Sequence, residues 1–152
     1  MAKIKSRGID SISMSLAVMS NLPEETAYEV LEAGAAVLIE KWKEKLSSMK
    51  RTGQLIESIK AKRKKSGDGF PVIRVAPTGK RKNGYTGKRK KRNGRTNGSY
   101  LGTNAEVAYF LEYGTPRMKA THWMEQANEE AHDAILEAEC KVFDDFLDSL
   151  NF

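Results

Sequence analysis

The chain has 152 residues, 39% hydrophobic and 30% charged, with a formal net charge of +6 and one cysteine. This length suits one domain that buries roughly 70% of its unfolded surface without disulfides. The lone Cys140 excludes an internal disulfide and a CxxC zinc site and suits a reducing compartment. No apolar run approaches the ~20 residues of a membrane span, and the N-terminus shows no signal-peptide core, so no membrane partner is expected.

Residues 1–20 are set apart as an N-terminal arm: Ile12, Met14, Leu16 and Val18 alternate with small residues, a pattern open to a strand or to an arm docked on a neighbour. Asn21, three residues before Glu24, has capping-box spacing, with Pro23 in the first turn and Glu24 and Glu25 at the positive dipole end. Ala27, Leu31, Leu38, Trp42, Leu46 and Met49 then share one helical face, predicting a long helix from about Leu22 to Met49. Gly34 inside it costs about 1 kcal/mol against alanine and marks a close backbone approach. Thr52 caps a short helical turn through Leu55, Ile56 and Ile59, and two extended runs about Gly67-Asp68-Gly69 predict a β-hairpin with Pro71 at a strand start.

Residues 79–98 form a basic arm inserted in the sheet region, an imperfect duplication with three Asn-Gly turn signals, expected as a two-stranded ribbon or a long loop. Tyr100 to Gly102 follow as a strand, Val107 to Tyr113 as one or two helical turns, and Gly114-Thr115-Pro116 as a stop. A second long helix runs from near Trp123 to Leu150, with Ala127, Ala131, Ile135, Ala138, Val142 and Phe146 on one stripe. The fold class expected is α+β: a small antiparallel sheet packed against two long amphipathic helices, with a long basic loop or ribbon, all in one domain.

Charge is strongly segregated. Residues 1–59 balance eight Lys and Arg against eight acids. Residues 60–95 carry fifteen Lys and Arg against Asp68 alone, a net of +14, and residues 120–152 carry nine acids against Lys141, a net of −8. A chain with a basic middle and an acidic end presents two faces of opposite sign. Lys80, Arg81, Lys82, Lys88, Arg89, Lys90, Lys91, Arg92 and Arg95 in the basic arm are the candidate contacts to nucleic acid or to an acidic partner. An arm of this kind neutralises phosphates without reading sequence, with steep salt dependence. Tyr85 and Tyr100 add two stacking faces, too few for a platform.

Enzyme chemistry finds no support. Gly84, Gly87 and Lys88 lack the spacing and the hydroxyl of a Walker A loop. His122, His132 and Cys140 have no metal-ligand spacing, and His122 reads as a loop residue and His132 as a solvated one. Cys140 sits among acids, which raises a thiol pKa, and Glu112 has no evident partner. No catalytic, cofactor or metal residue is assigned.

Two segments carry a resemblance. Thr52 to Ile59, TGQLIESI, directly after a long amphipathic helix, resembles the T-G-x-L-x-x-S-I signature of the tail-completion, or head–tail joining, proteins of long-tailed double-stranded DNA phages. Val107 to Ala127, VAYFLEYGTPRMKATHWMEQA, resembles that family's second signature, an aromatic-Gly-Thr turn before a small-residue loop and the last helix. The signature residues are Thr52, Gly53, Leu55, Ser58, Ile59, Tyr113, Gly114, Thr115 and Trp123, and the resemblance spans roughly residues 22–150. The chain departs from the family's Arg-Pro-aromatic by having Thr121-His122-Trp123, which keeps the aromatic anchor.

The resemblance implies a non-enzymatic virion protein of the phage neck, made in the host cytoplasm. It implies a ring, commonly a hexamer, between the head connector or stopper and the tail terminator or tail tube, around a channel that carries double-stranded DNA. The alternative from the charge alone is a free, non-sequence-specific nucleic-acid-binding protein. For the turn at Tyr113-Gly114-Thr115 a structural role, an unusual glycine backbone angle and a threonine cap, is preferred to partner contact.

Overall fold

The computed structural model describes residues 22–49, 53–81, 86–90 and 96–149, with the backbone alone for 86–90 and 96–101. The N-terminal arm, Asn21, Thr52, Lys82, Tyr85, Lys91, Arg92, Arg95 and Leu150 lie outside the described residues. The fold is α+β. In place of one sheet it has two separate two-stranded antiparallel units.

Helix α1 runs Glu24–Ser48, close to the predicted span. Its start corrects the capping-box expectation: Pro23 is the N-cap, at φ −57° and ψ 137°, and no side chain caps the helix. Proline presets φ for the first turn but offers no side-chain acceptor, and only its carbonyl accepts, from Ala27 N–H at 3.0 Å. Glu24 and Glu25 complement the dipole there, yet both also reach across to the hairpin.

Gly53, at φ 72°, turns the chain into the short helix α2, Gln54–Ser58, whose N-cap it is. Ile59 is not part of that helical turn. It opens strand β1, Ile59–Lys65, which pairs with β2, Pro71–Pro77, in the register Ile59↔Pro77 to Lys65↔Pro71. Ser66 N–H donates to Phe70 O at 2.8 Å and Gly69, at φ 85°, donates back to Ser66 O at 2.9 Å, closing the expected turn. The basic arm adopts the ribbon alternative: β3, Thr86–Lys90, pairs with β4, Thr96–Leu101, with a register shift between Lys88 and Arg89. Its base is tied to the body, where Arg81 N–H donates to Gly102 O at 3.0 Å.

Helix α3, Asn104–Tyr113, is longer than the one or two turns expected, because Thr103 and Glu106 form a capping box that satisfies its first amides. Helix α4, Trp123–Ser149, runs back along α1. Trp42 donates to Asn128 at 2.8 Å, Lys45 pairs with Glu130, and Gly34 faces Glu139, so the two helices are antiparallel. Gly34 does mark a close approach, but of a side chain. A Cβ there would stand 2.9 Å from Cγ and Cδ of Glu139.

Burial pushes the Glu139 carboxyl above its usual pKa. A carboxyl raised in the folded state contributes stability that is present at low pH and lost as pH climbs through its folded value. Glu139→Gln is therefore expected to raise the urea midpoint at pH 7 by the equivalent of about 0.5 kcal/mol, with the gain vanishing at pH 4.

The core lies at one end of the helix pair. Trp42 and Leu46 from α1, Ile59 from β1, Ala108 from α3 and Trp123 and Ala127 from α4 are all buried there. Leu38, Leu55, Ile56, Val75, Leu111 and Met124 close around them. The far half of α4 has only half-buried apolar positions facing α1 and β2.

Candidate functional site

The two segments that carry the family resemblance lie about fifty residues apart in sequence and meet in this core. From the first, Ile59 is buried and Leu55 packs against the cluster. Ser58 turns its hydroxyl to Leu55 O at 2.7 Å, and its carbonyl accepts from both N–H and Oγ1 of Thr78, which locks α2 to the end of β2. From the second, Trp123 is 1% exposed and meets the Trp42 ring edge-on, centroids 5.4 Å apart at 76°.

Glu112 was the carboxylate without an evident partner, and the fold supplies two. Its side chain, 5% exposed, accepts from the backbone N–H of Met124 at 2.7 Å and of Glu125 at 3.3 Å. It thus caps the N-terminus of α4 from the preceding helix. Its own carbonyl accepts from His122 N–H at 3.2 Å, and Leu111 O accepts from Thr121 N–H at 2.9 Å. The α3–α4 loop is stitched at both ends of one peptide. His122, the residue before α4, is exposed and sits at φ 49°, in the left-handed region.

The turn itself divides the expectation. Gly114 has φ 76°, and a Cβ there would lie 2.7 Å from Ala120 N and Met118 O, so only glycine fits. Thr115 does not cap α4. It pairs with Met118 across the turn, and its hydroxyl accepts from Arg117 N–H at 3.3 Å. Tyr113 is 64% exposed and lies 4.7 Å from the ring of exposed Tyr109 at a 47° tilt, and Phe110 stands 6.2 Å from Tyr109. This exposed aromatic row on α3 joins Tyr113 of the signature turn to Tyr109 and Phe110, which the sequence pattern does not set apart.

Glu112, His122 and Glu125 each bring a ligand atom within 4.8 Å of the others. Both Glu112 oxygens already accept amide protons at the positive end of a helix dipole, a setting that favours an anion and disfavours a cation.

The charged surfaces are sorted by strand alternation. Odd positions of β1 face α1. Arg63 bridges Glu25 and Glu32 at 2.6 Å and lies over the Tyr28 ring, and Lys65 pairs with Glu24 at 2.7 Å. These bonds lower the Glu32 pKa, through the Arg63 hydrogen bond first, and raise those of Arg63 and Lys65. Even positions, Lys60, Lys62 and Lys64, face away with Arg74, and all four are exposed. Lys62 stands directly opposite Arg74, a like-charge pair that weakens a hairpin unless an anion compensates it. Of the predicted basic-arm residues, Lys80 and Arg81 stand at the root of the ribbon, and Lys88, Arg89 and Lys90 are on β3.

The hairpin ladder of Lys60, Lys62, Lys64 and Arg74 was not singled out from the sequence, although the alternation of β1 was there to be read. Comparison with known protein families, with curated proteins and with solved structures finds no match to this chain. Among the described residues no helix is long and apolar enough to cross a membrane.

Proposed function

We propose that this chain is a structural neck protein of a long-tailed phage, a ring-forming tail-completion protein that joins the tail tube to the head connector around the DNA channel. The observation that carries the reading is the convergence of its two signature-like segments. Leu55, Ile59, Leu111 and Trp123 close one core, and Glu112 of the second segment starts the last helix. Segments that resemble two separate signatures gain weight when they build one structural unit.

The reading assigns no catalytic residue and no cofactor, and it places the protein in the virion after assembly in the host cytoplasm. The partners it implies are further copies of the chain, commonly six in a ring, a connector or stopper on one side and a tail terminator or tube on the other. The ribbon then reaches DNA in the lumen or an acidic face of a neighbour.

Replacing Lys88 to Arg92 together by serine or glutamine is expected to reduce head–tail joining or DNA retention at least tenfold while the far-UV circular dichroism is unchanged. Particle titre and negative-stain counts of free heads and tails measure this. A particle reconstruction that puts the chain off the portal-to-tube axis overturns the neck assignment.

A second reading, a free non-sequence-specific nucleic-acid-binding protein, is favoured by the exposed like-charge pair Lys62–Arg74. It requires salt-steep, micromolar or tighter duplex binding by the monomer, read by filter binding at two salt concentrations.

A further inference from the structure

We infer that the outer face of the β1–β2 hairpin is a subunit contact whose occupant is the acidic outer stripe of α4 from a second copy of this chain. The inference rests on the ring reading above and names the surfaces that would close the ring.

One half of the contact is the ladder Lys60, Lys62, Lys64 with Arg74 across from Lys62. The hairpin separates its cations by face. Arg63 and Lys65 are neutralised by acids of α1, whereas the four on the outer face make no salt bridge among the described residues. The other half is Glu129, Asp133 and Glu137 on α4, three exposed acids at four-residue steps on the side away from α1. Asp133 meets the ring of its neighbour His132 at 3.2 Å and makes no other salt bridge among the described residues, and Glu129 and Glu137 make none there.

The two rows match in pitch. Alternate strand residues stand about 6.7 Å apart, and four-residue helical steps advance about 6 Å. Three cations can therefore meet three acids in sequence along one contact. Each row also carries one exposed aliphatic group, Val72 at 41% opposite Lys64 and Leu136 at 48% beside Glu137. These put an apolar patch at one end of each otherwise ionic row.

The two rows do not meet within one chain: β2 and α4 flank one cleft on α1, lined by Val72 and Val75 on one side and Ile135 and Glu139 on the other, and no salt bridge joins the rows among the described residues. Met in trans, such a pair is heterologous: each copy offers its hairpin to one neighbour and its α4 to the next, which builds a closed ring when the rotation allows. A duplex would satisfy the lysines but leave the acids of α4 unused, and that is why a second copy fits these surfaces better.

Reciprocal charge reversal in the full chain tests this. Lys60→Glu, Lys62→Glu and Lys64→Glu together, or Glu129→Lys, Asp133→Lys and Glu137→Lys together, are expected to weaken assembly on the order of a hundredfold each. All six are expected to restore it. Sedimentation velocity at about 0.05 M and about 0.5 M salt reads the size, with the wild-type rings loosening at the higher salt, and circular dichroism checks the fold.

Rings that persist in either three-fold variant, or that fail to return in the combined one while it remains folded, overturn the contact. So does a wild-type chain that stays monomeric at low salt. Loss of duplex DNA retention with rings intact in the lysine variant gives the hairpin to DNA and overturns the contact too. The place of the protein in the particle is read separately by reconstruction. Rings insensitive to both reversals therefore leave the neck assignment standing, and rings dissolved by them uphold the contact wherever the protein sits.

Discussion

Replacing Trp123 by alanine is expected to remove about 4 kcal/mol of stability, a loss read as a shift of the urea midpoint followed by far-UV circular dichroism. The indole is 1% exposed and joins four elements: from α4 it meets Trp42 of α1 edge-on and shares the core with Leu46, Ile59 and Ala108. Truncation leaves a cavity that Ala127 and Ala108, both small, cannot refill by moving a side chain. The edge-on pair with Trp42 adds to the loss, because such pairs contribute about 0.5–1.5 kcal/mol beyond their buried area. A domain of this size has only about 5–15 kcal/mol in hand.

Trp123→Phe separates volume from polarity. The Trp123 Nε1 is buried and has no hydrogen-bond partner among the described residues. Phenylalanine removes that unpaired donor while keeping most of the ring, so the loss is expected to fall below about 2 kcal/mol. A phenylalanine variant as damaged as the alanine one shows that the indole N–H has a partner which matters.

Glu112→Ala is expected to cost about 3 kcal/mol, and the damage should concentrate at the start of α4. The carboxylate satisfies two of the four amides that open a helix, and bonds to a charged acceptor contribute about 1.5–3 kcal/mol each when buried. Glutamine keeps the length but offers one acceptor and a competing donor to two N–H groups, so Glu112→Gln is expected to lie near half the alanine loss. Hydrogen exchange locates the effect: amides of Met124 and Glu125 lose protection first, while those of the β1–β2 hairpin keep theirs. Equal loss of protection in the hairpin contradicts a capping role. The prediction bears on function too, since the α4 stripe offered to a neighbour starts only one turn beyond this cap.

The elements were legible because they depend on local order. The 3.6-residue spacing of Leu31, Leu38, Trp42 and Leu46 placed α1, and Gly-Asp-Gly between extended runs placed the hairpin. The errors were local as well. Asn21 has the spacing of a cap, but Pro23 takes that position, and Ile59 continues an apolar helical spacing yet begins a strand because its side chain is needed beside Trp42.

What the sequence by itself determined is therefore the inventory: two long helices, a hairpin, a basic arm left open between ribbon and loop, and a charge divided between the middle and the end of the chain. Only the tertiary structure decided which of these groups are used up and which are left over. Glu112 finds its amides 12 and 13 residues downstream across a folded loop, and Arg63 finds Glu25 and Glu32 on a helix that precedes it. The alternation of β1 was visible, but α1 had to lie against one of its faces before the other could be known as the uncompensated one. Pairing of charges falls off within about 10 Å in salt solution, so it is set by distances in the fold and not by positions along the chain.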